Sequence, residues 1–239
     1  LAFGLFRPHM PWEVPKKYFD MFPLEDIKPL ETKENDLEDA YDHGRRKWHK
    51  FVEDNMQWEK VIQAYLASIA FADNQIGRVM RALKASKHAQ NTIIILWSDH
   101  GMHIGEKENW EKFSLWEEST RVPLFISFPN MSSNGIQCDE PVSLVDIYPT
   151  LAELAGYEPP NHCDGESLLP QLQNIHAEKK KSAMTSFKFS SGDIGHSLRS
   201  KNFRYIFYAS NNLEELYNHQ TDPNEFENLA YNPGFKEKI

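Results

Sequence analysis

The chain has little cysteine: Cys138 and Cys163 are the only two in 239 residues. That excludes a disulfide framework or a zinc site made of cysteine alone, and leaves one bridge or none. No apolar run approaches the ~20 residues that a bilayer-crossing helix needs, so no membrane span is expected. Long basic stretches are missing too. With 26 Lys and Arg against 35 Asp and Glu the net charge is −9, and nucleic acid is not an expected partner. Lys179-Lys180-Lys181 is the one cationic cluster, and it reads as a solvated loop. There is no internal repeat and no low-complexity tract. What remains is 40% hydrophobic and 13% aromatic, the composition of a globular protein with a real core, one large domain or a domain and a half in length. Asn130-Met131-Ser132 is an acceptor sequon, meaningful only in a chain secreted by a eukaryotic cell.

The stretch that organises the rest runs from Thr92 to Lys112. Thr92-Ile93-Ile94-Ile95-Leu96-Trp97 is apolar, rich in β-branched residues and without polar alternation, which suits a strand buried on both faces. It breaks into Ser98-Asp99-His100-Gly101, where the glycine permits a turn. Ligands of open α/β sheets sit just beyond the carboxyl ends of strands, and Asp99 and His100 fall there. A carboxylate beside an imidazole suits a divalent cation. The competing reading is a plain polar turn at a strand end.

In chain order, Leu1 to Phe6 reads as a strand already under way, and Arg7-Pro8-His9-Met10-Pro11-Trp12 as a loop stiffened by two prolines. His9 is then a strand-end residue on a rigid support, or simply a surface-loop histidine. Residues 13–57 read as a long covering loop with short helices. From Trp58 to Ser86 the period turns helical, with Val61, Tyr65, Ile69, Ala72, Ile76, Val79, Met80 and Leu83 as the apolar stripe and Asp73 as a polar position. After the Asp99 turn, His103, Glu106, Lys107, Glu108 and Glu111 crowd a loop ending at Trp110 and Lys112. Lys112 can fold back towards Asp99, an arrangement that makes sense if an anion lies between cation and ammonium. Val122–Phe128 reads as a strand, Ser143–Gly156 as a capped helix with Asp146 in a structural role, and Ser167–Leu172 as a short helix. Beyond Asn174, Ala183–Phe189, Ser197–Ser200, Phe203–Tyr208 and Glu214–Asn218 read as short antiparallel strands. Both ends read as unfinished elements, which is the pattern of a fragment.

These motifs carry a resemblance. Arg7-Pro8-His9-Met10-Pro11, Tyr65 to Ile69 with Asp73 and Ile76-Gly77, Ser98-Asp99-His100-Gly101, and Gly105-Glu106 with Trp110 and Lys112 make the first group. Thr120 to Leu124, Val145 to Leu151, Asp164-Gly165 with Ser167-Leu168, and Glu214 to Asn218 with Asp222-Pro223 follow in the same order. The series resembles the sulfatases of the alkaline-phosphatase superfamily, in their iduronate-2-sulfatase-like branch, over nearly the whole chain.

The resemblance implies an α/β fold: part of a mixed, mostly parallel sheet sandwiched by helices, with a small C-terminal antiparallel-sheet subdomain. Residues 1–176 would be the C-terminal part of the catalytic domain and residues 177–239 that subdomain. It further implies one Ca²⁺ ion, with Asp99 and His100 at the metal and Asp99 as a direct ligand. His9 and Lys112 would be catalytic and would bind the sulfate, with His103 as a further substrate-binding residue. The nucleophile would be a formylglycine made from Cys or Ser. The family's Cys- or Ser-x-Pro-x-Arg motif is absent here, as are its paired N-terminal aspartates and a Lys-x-x-His element. The chain therefore resembles the C-terminal part of such an enzyme, inactive alone and partnered by its N-terminal part. The implied substrate is a sulfated carbohydrate, and the implied location periplasmic, secreted or lysosomal. A phosphomonoester or phosphonate hydrolase of the same superfamily and a non-catalytic binder of sulfated glycans are the alternatives.

Overall fold

The computed structural model describes every residue except Pro29, His43, Arg45, Asn130, Ser132, Lys180 and Ile239. The Asn130-Met131-Ser132 sequon and Lys180 thus lie outside the described residues. The chain forms two compact units: Leu1–Thr32 with Gly44–Thr92 and Ile104–Trp110, and Lys33–His43 with Ile93–His103 and Glu111–Ile239. The unit that contains residues 177–239 therefore also takes in 111–176.

The first unit is helical. Its elements are α1 (Lys16–Phe19), α2 (Arg46–Asp54) and α3 (Trp58–Lys84), the last being the long helix the sequence periodicity predicts. The buried face differs from the expected stripe. Ile62, Ala67, Ser68 and Ala72 are buried, whereas Ile69 and Met80 stay exposed. The small residues let α1 approach closely: Tyr18 is buried with its ring edge-on to Phe71 at 5.5 Å, and Gln63 Nε2 donates to the Phe22 carbonyl at 2.7 Å. Asp73 is exposed, as a polar helix position should be. The predicted strand at Leu1–Phe6 does not form. Those residues have no strand pairing among the described residues, and Leu1, Phe3 and Phe6 are exposed. A strand needs a neighbour to take its backbone hydrogen bonds.

The second unit holds most of the sheet. Strand β1 (Ile94–Trp97) pairs antiparallel with β4 (Leu124–Ser127), Ile94 opposite Ser127 and Trp97 opposite Leu124. Strands β2 (His103–Ile104) and β3 (Trp110–Glu111) are two-residue pieces between them in sequence. The mixed α/β class is as expected, but β1 has no parallel neighbour among the described strands. Its end is correspondingly open, with Trp97 50% and Phe125 63% exposed. Helices α4 (Glu117–Thr120), α5 (Ile147–Leu154) and α6 (Leu169–Gln173) follow, then the four-stranded antiparallel sheet β5 (Ala183–Lys188), β6 (Ile194–Arg199), β7 (Phe203–Tyr208) and β8 (Leu213–Asn218) in sequential order. On β7 alternate residues Arg204, Ile206 and Tyr208 turn inward. Ile206 and Tyr208 join Leu37, Leu115, Trp116, Phe189 and Tyr217 in the largest apolar core.

Asp146 has the structural role the sequence suggested. Its carboxylate accepts from the Ser143 and Glu166 backbone N–H groups, both at 2.8 Å. Lys179, expected in a solvated loop, is instead buried with its Nζ 3.1 Å from Asp146. A buried carboxylate needs such a partner. Cys138 and Cys163 are free thiols, so the option of a bridge is not taken. Among the described residues no helix is long and apolar enough to cross a membrane.

Candidate active site

His9 lies in the first unit, exposed in a tight turn in which its own N–H donates to the Phe6 carbonyl at 3.0 Å. The Phe6 ring lies 4.8 Å from the imidazole, and Nδ1 is 2.6 Å from the Met10 carbonyl oxygen. A carbonyl only accepts, so Nδ1 carries the proton and the neutral ring has its lone pair on Nε2.

The remaining site residues belong to the second unit. Where β1 ends, the chain turns through Ser98–Gly101 and presents Asp99, whose side chain is 85% exposed, beside a half-buried His100. His100 Nδ1 is 2.8 Å from the Gly101 carbonyl, which again assigns the proton to Nδ1. In the neutral ring the His100 Nε2 lone pair faces Asp99 Oδ2 at 3.7 Å. Two electron-rich atoms at that separation fit a shared cation: ligands about 2.4 Å from Ca²⁺ and about 100° apart stand that far from each other. The pair supplies two donors of the six to eight that such an ion takes. Gly101 is required on packing grounds, because a Cβ there would run into the Glu118 carbonyl oxygen. Its N–H donates to the Ser119 carbonyl at 2.8 Å.

Lys112 is half-buried, its Nζ 5.8 Å from the centre of the Phe113 ring. His103 departs from expectation. It is fully buried, with Nε2 2.8 Å from Ser114 Oγ and its ring edge-on to Trp116 at 5.9 Å. The ring has no exposed surface and is held by these two neighbours. The structure thus brings Asp99 and His100 together at one turn and ties His103 to Ser114, two residues after Lys112.

No local sequence pattern signalled the buried network around Glu225. Glu225 is buried and accepts from Arg204 Nε at 2.6 Å, the Glu117 N–H at 2.9 Å and His219 Nε2 at 2.8 Å. Arg204, 1% exposed, also reaches the Glu117 carboxylate, Ser197 Oγ at 2.7 Å and the Leu115 carbonyl at 3.1 Å. Burial pushes the Glu225 carboxyl up, yet Arg204, His219 and the Glu117 N–H outweigh it and hold it at about 2. At Glu117 burial likewise pushes upward, and Arg204 with Arg199 brings the net shift below the ordinary range. Glu117, His219 and Glu225 stand close enough to share a metal ion, but the Arg204 guanidinium already supplies the positive charge there. Arg199 is committed to Glu117 at 3.2 Å and to neighbouring carbonyls. The signal available in sequence was the β7 alternation, which sets Arg204 on one face with Ile206 and Tyr208.

Comparison with known proteins fits this picture. The family model "Sulfatase" matches residues 3–157, and the model "N-sulphoglucosamine sulphohydrolase, C-terminal" matches residues 105–239. The chain belongs to the sulfatase family. It is 40% identical over 246 residues to a sulfatase of Formosa agariphila, covering 100% of this chain and 47% of that protein. Among solved structures it is similar to the phosphonate monoester hydrolase of Agrobacterium radiobacter, with TM-score 0.79, 25% identity, and coverage of 97% of this chain and 52% of the other. It is also similar to a protein solved in complex with its substrate D-glucosamine-2-N,6-O-disulfate, with TM-score 0.66, 27% identity, and coverage of 77% and 39%. The chain spans about half the length of the curated relatives it matches.

Proposed function

We propose that these residues are part of a sulfuric ester hydrolase that removes sulfate from a sulfated sugar. Asp99 and His100 hold a Ca²⁺ ion, and His9 and Lys112 bind the sulfate and assist the leaving oxygen. The nucleophile, a formylglycine, is contributed by the N-terminal part of the same enzyme. The observation that carries this reading is the Asp99–His100 pair, two donor atoms 3.7 Å apart at an open strand end, in a chain of the sulfatase family.

When bound, the ion supplies fixed positive charge that polarises the sulfuryl oxygens. The Lys112 ammonium gathers charge that develops on the departing oxygen, where it counts most in the transition state. His9, with Nδ1 on the Met10 carbonyl, has Nε2 as the ring atom that exchanges a proton. A sulfated sugar is supported by the substrate of the disulfated-glucosamine complex and by the family model for an N-sulphoglucosamine sulphohydrolase. The iduronate-2-sulfatase-like motifs make an iduronate 2-sulfate one candidate. A periplasmic, secreted or lysosomal site of action follows from such substrates.

The structural similarity to a phosphonate monoester hydrolase favours a second reading, phosphonate or phosphate ester hydrolysis on the same frame. The test compares aryl sulfate, aryl phosphate and phosphonate monoester hydrolysis by the whole enzyme, before and after calcium chelation. Sulfate release that chelation abolishes and added Ca²⁺ restores is the expected result. Preferential phosphonate turnover would replace the sulfatase reading with the second one.

A further inference from the structure

We propose that Ser114 and Ser119 are positioning residues that set the distance between the metal turn and Lys112, and that the buried Arg204–Glu225 network anchors them. The inference rests on the site roles assigned above to Asp99, His100 and Lys112.

Helix α4, Glu117–Thr120, is a single turn, too short to hold itself. It is held from outside. The Glu117 N–H donates to Glu225 Oε2, the Leu115 carbonyl accepts from Arg204, and Trp116 Nε1 donates to Glu215 Oε2 at 2.7 Å. From that anchored turn Ser119 reaches both limbs of the site. Its carbonyl takes the Gly101 N–H at 2.8 Å, fixing the turn that carries Asp99 and His100. Its Oγ accepts from Ser114 Oγ, also at 2.8 Å. The Ser114 hydroxyl has one proton and gives it to Ser119, so the 2.8 Å bond from His103 must be donated by the imidazole Nε2–H.

Ser114, Ser119 and His103 are all at least nine-tenths buried, so water does not compete for these bonds. Two residues of extended chain span at most about 7 Å. Fixing Ser114 therefore confines the backbone of Lys112, and fixing Gly101 confines that of Asp99. A sulfate held between ion and ammonium needs that spacing held in advance.

The two limbs separate experimentally in the whole enzyme, reading aryl-sulfate kcat and KM together with Ca²⁺ affinity by calorimetry. Ser119→Ala keeps the carbonyl that holds Gly101 but loses the Oγ that holds Ser114. It should lower kcat about 10-fold or more, with Ca²⁺ affinity and KM within about threefold of the unmutated enzyme. Ser114→Ala should behave alike. Glu225→Gln loosens the anchor and should weaken both kcat and Ca²⁺ affinity. A Ser119→Ala enzyme with unchanged kcat overturns the inference, as does one that loses kcat and Ca²⁺ affinity in parallel or fails to fold, since the bond would then only support the fold. If the unmutated enzyme hydrolyses no sulfate ester, the functional reading itself fails, and the inference falls with it.

Discussion

Two carboxylate–imidazole pairs in the second unit differ in almost everything except their chemistry. Asp99 is largely exposed, its Oδ2 3.7 Å from His100 Nε2. Glu225 is buried, 2.8 Å from His219 Nε2, and further satisfied by Arg204 and a backbone N–H. The open pair is reachable from solvent and so has capacity to bind; the sealed pair has its charge compensated and so has capacity to hold. Proximity of ligating atoms alone does not distinguish the two, because the sealed cluster meets metal-ligand spacing better than the open one. What distinguishes them is exposure, and the Arg204 guanidinium that already supplies positive charge to the sealed cluster.

The sharpest way to break the comparison is Asp99→Ala in the whole enzyme. On the role proposed above, losing the Asp99 carboxylate should cut calcium-dependent sulfate release by on the order of 10³-fold or more, with thermal stability in the absence of calcium nearly unchanged because the side chain is exposed. Near-normal turnover would remove the open pair from the site. Arg204→Met should do the opposite. Without that guanidinium the buried Glu225 keeps only His219 and a backbone N–H, and Glu117 keeps Arg199; breaking such a buried pair costs about 3–5 kcal/mol, which denaturant unfolding would read as a large loss of stability. A neutral result would mean the network is not what holds the sheet to α4.

The gentlest test is pH. Glu225 and Glu117 have folded-state values below the ordinary 4.5, Glu225 at about 2. Their contribution is then fully present above about pH 4.5 and is lost as pH falls towards 2, since the unfolded chain takes up protons first. Unfolding free energy measured across that window should fall with pH in the unmutated protein and fall less steeply in Glu225→Gln. Equal slopes would show that the sealed pair does not control acid stability.

The open pair was legible in sequence and the sealed one was not, for a physical reason. Asp99, His100 and Gly101 are consecutive, so a strand end and a glycine turn suffice to find them. Arg204 finds Glu117 across 87 positions and Glu225 across 21, and no local pattern encodes such partners. The long helix α3 was legible from its period, but not its buried face, which takes the small Ala67, Ser68 and Ala72 and leaves the bulkier Ile69 and Met80 exposed. His103 was expected as a substrate-binding loop residue; its burial depends on Ser114 and Trp116 closing around it. Lys179 misled likewise, since its partner Asp146 lies 33 residues earlier.

The double attachment of Ser119 carries a consequence for how the site fails. One residue grips the metal turn through its main chain and the Lys112 loop through its side chain. Any excursion that unseats this one helical turn releases both limbs together, as a cooperative local opening and not a graded loosening. Protection of the Gly101 amide against exchange with solvent is then a direct gauge of the fraction of time the site is assembled.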